Sequence, residues 1–180
     1  LMEQEEVRIR SEVELLEYCH GVAGTIGLML CPIFGVKNEK ALAHANNLGI
    51  AMQLTNICRD VFEDAENNRI YLPSSFFSFE PEINHLISGS SATSKEIFAA
   101  VERLLLIADK LYASSEAGIE YLPFRMRVVV RWASQMYRAI GTKIRSNPEY
   151  FYQNRAIVKQ PKKMYFFTRS LMRSFVQNKQ

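Results

Sequence analysis

From Leu42 to Val61 apolar residues return every three or four positions, through Ala45, Leu48, Ala51, Leu54 and Ile57. That spacing is the period of an α-helix with one buried face, and it predicts a single long helix over roughly residues 39–64. Such a helix needs other helices to cover it, and the rest of the chain supplies them. Ser11 and Glu14 have the spacing of a capping box. Val13, Leu16, Val22, Ile26 and Met29 then follow a helical period up to Pro32. Thr93 and Glu96 repeat the capping spacing before a stripe from Ile97 to Tyr112, which predicts a helix to about Glu120. Pro123 separates it from a helix over 124–145 with Val128, Val129, Trp132, Met136, Ile140 and Ile144 as its buried stripe. A last helix in the basic tail has Met164, Phe167, Leu171 and Phe175 on its seam. Residues 65–94, with Pro73, Pro81, Gly89 and a serine run, read as loop with a short helix near Phe76 or Ile83. The expectation is one all-α domain over residues 1–180.

Composition narrows the class further. Only 8 Gly and 6 Pro, with no sustained alternation of period two, exclude a β-sandwich or barrel. Cys19, Cys31 and Cys58 form neither a CxxC nor a Cys/His cluster. This argues against zinc and against a disulfide-stapled module, and a reducing, cytoplasmic setting follows as the expectation. The acidic opening lacks the basic start of a signal peptide, and Val22–Phe34 reads as too short and glycine-broken to cross a bilayer. Net charge is unevenly spread. Residues 1–90 hold 6 Lys/Arg and 13 Asp/Glu, net −7, and residues 91–180 hold 16 and 6, net +10. Either the two halves bring carboxylates and cations to one cavity, or these are solvated helix faces.

Gly21, Gly24 and Gly27 recur every three residues along the first helix, leaving a bare strip that another helix or a ligand chain can approach. On the long helix, Gln53, Asn56, Asp60 and Asp64 are spaced by three, four and four, so on a regular helix they share one face. Two carboxylates four residues apart repel by a few tenths of a kcal/mol, roughly, unless solvent or a cation offsets them. Mg2+ takes oxygen ligands from one or two carboxylates and from phosphate oxygens, and this stripe suits it; so does an ordinary wet helix face. Arg59 and Arg69 flank the carboxylates, either to hold diphosphate oxygens or to pair with Glu63 and Glu66.

Two blocks, Tyr18-Cys-His-Gly-Val22-Ala-Gly-Thr-Ile26-Gly27 and Leu48 through Gln53, Asn56, Arg59, Asp60 and Asp64 to Arg69-Ile-Tyr71-Leu-Pro73, resemble the squalene, dehydrosqualene and phytoene synthase family of head-to-head prenyltransferases. The resemblance implies an all-helical isoprenoid-synthase bundle in which Mg2+ ions sit between acidic motifs and the substrate diphosphates. It implies Asp60, Asp64 and Asn56 in the metal site, and Asp60, Asp64, Arg59 and Tyr71 as catalytic residues. Tyr18, Val22, Ile26, Gln53, Asn56, Arg69, Tyr137 and Arg155 would contact the substrate. Farnesyl or geranylgeranyl diphosphate would be the substrate, with no role for nucleic acid. Squalene synthases use NADPH and phytoene synthases do not, and the sequence leaves that choice open.

The family's first aspartate-rich motif has no counterpart ahead of Tyr18. The chain is therefore expected to be the central and C-terminal part of such an enzyme, lacking N-terminal helices, inactive alone and prone to self-association through its uncovered apolar face. The alternative is a homologue that keeps the fold as an assembly or interaction protein. Lys159, Lys162, Lys163, Arg169 and Arg173 beside Met164 and Phe167 also suit peripheral contact with a membrane surface.

Overall fold

A computed structural model describes residues 7–153 and 155–177. Ser11 caps α1 (Glu12–Cys19) by accepting the Glu14 N–H at 3.1 Å. The Glu14 carboxylate reaches back one residue further than a capping box requires, to the Arg10 N–H at 2.8 Å. A five-residue π turn, His20–Gly24, carries α1 into α2 (Thr25–Ile33), and Gly35, at φ 73°, ends the helix. Continuous through this turn, Glu12–Ile33 is by length and apolarity alone long enough to cross a bilayer, contrary to the reading of Val22–Phe34 as a short separate segment.

Asn38 caps α3 (Glu39–Arg59), accepting from the Lys40 N–H at 2.9 Å. The expected single helix breaks at Asp60, where the backbone leaves helical geometry (φ −106°, ψ 16°), and α4 (Val61–Glu66) continues from there. Asn68, at φ 61°, turns the chain out of α4. Arg69–Ile70 then forms a short strand, β2, parallel to β1 (Val7–Arg8), with Val7 opposite Arg69 and Arg8 opposite Ile70. This pair, invisible in the hydropathy pattern, is the described residues' only sheet.

The loop region holds a 3₁₀ turn at Ser74–Phe76 and α5 (Ile83–Ser88). α6 (Ser91–Ser115) starts three residues earlier than expected. Ser90 is its cap, accepting from the Thr93 N–H, while Glu96 bonds Ser78 through the backbone N–H and the hydroxyl, both at 2.8 Å. The last turn before Pro123 is 3₁₀ (Glu116–Tyr121), not α. α7 (Phe124–Ser146) follows, then α8 (Pro148–Gln153), which begins on a proline, a residue the first turn of a helix accommodates. α9 (Gln160–Gln177) closes the described chain.

α3 is the hub, packed against α6, α2, the π turn and α7. Its C-terminal half carries the core: Ala51, Leu54 and Cys58 are fully buried with Leu15, Cys19, Val101 and Leu104. Glycines bring the first helix onto α3. A Cβ on Gly27 would fall on the Ala45 carbonyl, one on Gly49 on the Ala23 carbonyl, and one on Gly24 on the Asn46 side chain. Two glycines of the three-residue repeat therefore serve helix packing, whereas Gly21 faces open space.

The α9 seam differs from expectation. Its buried face is Phe166, Ser170 and Ser174, with Phe167 and Leu171 half-buried; Met164 is 59% exposed and Phe175 54%. The reason is Arg131 on α7, which is fully buried and donates to the Ser174 hydroxyl at 2.7 Å and to Glu116 at 3.1 Å. A buried guanidinium requires oxygen partners, so the small hydroxyl of Ser174 rather than a large apolar group meets it. Trp132 anchors the start of the helix by donating its indole N–H to the Lys163 carbonyl at 3.0 Å.

Candidate active site

The first helix, α3, the 116–121 turn and α7 line an open cavity of about 480 Å3. Its walls are aliphatic and small: Val22 and Ile26 from the first helix, Leu48 and Met52 from α3, Ile119 and Val129 from the other side. Leu42, Leu48 and Val129 were expected in the core stripes. Leu48 packs against the core and also lines this space, whereas Val129 lines it without joining the core, and Leu42 and Val129 are 36% and 49% exposed. Gln53, Asn56 and Tyr137 supply polar groups where the cavity approaches the C-terminal end of α3.

The Asn56 amide donates weakly to Gln53 at 3.4 Å, while its Oδ1 is buried and has no protein partner. One turn on, Asp60 takes two bonds from Arg59, at 2.8 and 2.5 Å, and a second cation, Arg155, reaches it at 3.0 Å. Arg155 also lies 3.4 Å from Glu63. This is a direct meeting of the acidic and basic halves. Arg59 thus pairs with Asp60 and not with Glu63, and that contact raises its pKa against the opposing effect of burial.

Asp64 lies beyond the break, and with Arg69 and Tyr71 it lines a small recess floored by Ile57, Val61 and Leu72. Burial and then the neighbouring Asp60 push its carboxyl up to about 6, while Arg69 and Arg155 pull the other way. Tyr71 meets Tyr18 there: the hydroxyls are 3.2 Å apart and the rings 5.0 Å. Burial, then the bond to Tyr71, raises the Tyr18 pKa.

The expected residues therefore fall into two groups. Val22, Ile26, Gln53, Asn56 and Tyr137 border the cavity, whereas Asp60, Asp64, Arg59, Arg69, Tyr71, Tyr18 and Arg155 gather at the α3–α4 junction next to it. Sequence reasoning missed Leu30, Phe34, Val36 and Leu122 in the cavity wall, along with His44, whose Nδ1 is buried without a partner. Their side chains mark them as apolar or semi-polar, but nothing local says that a cavity rather than a neighbour lies opposite.

The sequence model of the squalene/phytoene synthase family matches residues 1–162. The chain belongs to this family. Two related phytoene synthases show how far the likeness to the squalene/phytoene synthase family extends. The 15-cis-phytoene synthase of Enterobacter agglomerans is 35% identical over 163 residues, 91% of this chain and 55% of that protein. The chloroplastic phytoene synthase 2 of Solanum lycopersicum is 37% identical over 170 residues, 91% of this chain and 54% of its own length. The chain thus spans about half the length of the curated relatives it matches. A dehydrosqualene synthase crystal structure superposes with a TM-score of 0.75 at 27% identity, over 95% of this chain and 59% of that one. The all-helical fold is that of the squalene/phytoene synthase family, as expected.

The residues present suit Mg2+ for this member of the squalene/phytoene synthase family. Asn56 offers an unpartnered buried oxygen, and Asp60 and Asp64 offer carboxylates, which is an oxygen-only set. Among the described residues no cluster of three or more Asp, Glu, His or Cys stands ready for a metal. The protein groups would therefore make up only part of a coordination shell, with water and diphosphate oxygens completing it.

Proposed function

We propose that this chain carries the second acidic motif and most of the prenyl cavity of an enzyme that condenses two allylic prenyl diphosphates head to head. The observation that carries the reading is an apolar cavity whose polar end, Gln53 and Asn56, adjoins Asp60, Asp64 and three arginines in a chain of this family. Bound Mg2+ would draw charge from the departing diphosphate, with Asn56, Asp60 and Asp64 as its protein ligands. Arg59, Arg69 and Arg155 would take up diphosphate oxygens, and Arg155 is half exposed at the rim and able to do so without unfolding anything. Tyr71, with Tyr18 bonded to it, would border the leaving group. The aliphatic walls at Val22, Ile26 and Val129 would hold the prenyl chain and keep water from the allylic cation.

One acidic motif holds only part of the metal set, so the 180-residue chain alone is proposed to bind substrate without turning it over. The substrate is farnesyl or geranylgeranyl diphosphate, with hydride from NADPH needed only for a squalene-type product. Calorimetry with Mg2+ and the unreactive farnesyl thiodiphosphate tests the site. The expected result is measurable heat from the unaltered chain and at least about tenfold weaker binding by Asp60→Asn. Equal heats from both would remove Asp60 from the site, and no heat from either would favour an interaction protein.

A further inference from the structure

We propose that Arg8, on the N-terminal strand, is a positioning residue for the diphosphate mouth: it clamps the Asn68 turn and so holds Arg69 and Tyr71 against Asp64. The inference rests on the function just proposed for that mouth. α4 ends at Glu66, and the turn that follows puts Asn68 at a positive φ of 61°, uncommon for a residue with a side chain, though asparagine tolerates it better than most. Local bonds hold the donor side of this turn: Asn67 N–H reaches the Glu63 and Asp64 carbonyls, the Asn67 side-chain amide donates to the Glu63 carbonyl at 2.7 Å, and Asn68 N–H reaches the Ala65 carbonyl. The other side is held from 60 residues away. The Arg8 guanidinium donates to the Asn68 carbonyl at 3.0 Å and to its side-chain Oδ1 at 3.2 Å, while a third bond at 2.9 Å fixes the same group to the Val7 carbonyl.

The strap continues beyond the turn. Ile9 N–H bonds the Ile70 carbonyl at 3.3 Å, and the Ser74 and Ser75 N–H groups bond the Ile9 and Arg10 carbonyls, each at 3.0 Å. Arg69 immediately follows the clamped residue and Tyr71 comes two later, and both line the recess with Asp64. A rotation of the turn therefore moves a cation and a hydroxyl together. The planar fork of arginine matches two acceptors on one residue, and the single ammonium of lysine does not.

The test is Mg2+ with inorganic pyrophosphate, titrated calorimetrically into the full chain well below its melting temperature. Arg8→Lys is expected to weaken binding by about 10- to 100-fold, as loss of an outer support does at metal sites. Its melting temperature should stay within about 2 °C, a change of under about 1 kcal/mol for a chain of this size. Hydrogen exchange in residues 69–75 should quicken. Asn68→Gly, which keeps the positive φ but removes Oδ1, should weaken binding less, and combining it with Arg8→Lys should add little to Arg8→Lys alone. Arg138→Gln, which breaks an exposed pair with Asp109 far from the strap, is the control and should bind normally. Unchanged pyrophosphate affinity in Arg8→Lys, or fully additive effects with Asn68→Gly, would overturn the positioning role while leaving the site intact. No binding by the unaltered chain would bring down the site and this inference together.

Discussion

Asp64 shows how a single carboxylate ties stability to function. Its folded pKa of about 6 lies above the ordinary value of 3.8, mainly because it is half-buried and secondly because Asp60 is close. The folded chain therefore holds this proton more tightly than the unfolded chain. The contribution to stability is favourable below about pH 4 and is lost as pH rises through about 6. At neutral pH the ionised group is a net cost. Asp64→Asn should raise stability at pH 7 by about 1 kcal/mol, after allowing for solvent screening of a partly exposed group, and should flatten the stability profile between pH 4 and 6. Urea melts across that range would check it. Mg2+ affinity should move the other way: in the unaltered chain it should fall as pH drops below about 6, because the metal needs the ionised carboxylate, and Asp64→Asn should bind weakly throughout.

Elements are joined by close contacts that leave no room for change. The Cβ of an alanine at Gly49 would meet the Ala23 carbonyl, a backbone atom that cannot rotate away. Gly49→Ala should cost about 2 kcal/mol or more, read as a fall in melting temperature of several degrees, whereas Gly21→Ala, facing open space, should be neutral or stabilising. At the other end, Arg131 joins α7, the 116–121 turn and α9. Arg131→Ala empties a buried volume and leaves the Ser174 hydroxyl without its donor, while Glu116 keeps Arg173 at 3.1 Å. The expected loss is about 3 kcal/mol, with faster hydrogen exchange concentrated in α9.

For the whole molecule the decisive feature is an apolar face that nothing in the described chain covers. Along the first helix Ile26 is 49% exposed, Met29 58% and Ile33 72%, although the same helix walls the cavity. Exposed apolar surface of this extent promotes association. The chain is expected to sediment as a dimer or larger species at micromolar concentration, and Val22→Glu should shift it toward monomer. A monodisperse monomer that binds no hydrophobic dye would show the face to be harmless.

Much of this was legible in the residues. That helices exist at 12–33, 39–59, 91–115, 124–146 and 160–177 follows from periodicity and from capping by Ser11, because amphipathic burial is a local pattern, although the ends at Arg59, Ser91 and Ser115 do not. The spacing of Gln53, Asn56, Asp60 and Asp64 marked them as candidates. The tertiary structure decided the rest. Whether Val129 or Leu48 meets a core neighbour or a cavity depends on what packs opposite. The break at Asp60, the pairing of Asp60 with Arg155 across 95 residues, and the clamp of Arg8 on Asn68 join segments distant in the chain. Buried Arg131 rewrote the α9 seam for the same reason: the requirement of a desolvated charge for oxygen partners is a property of the packed interior, which no single segment contains.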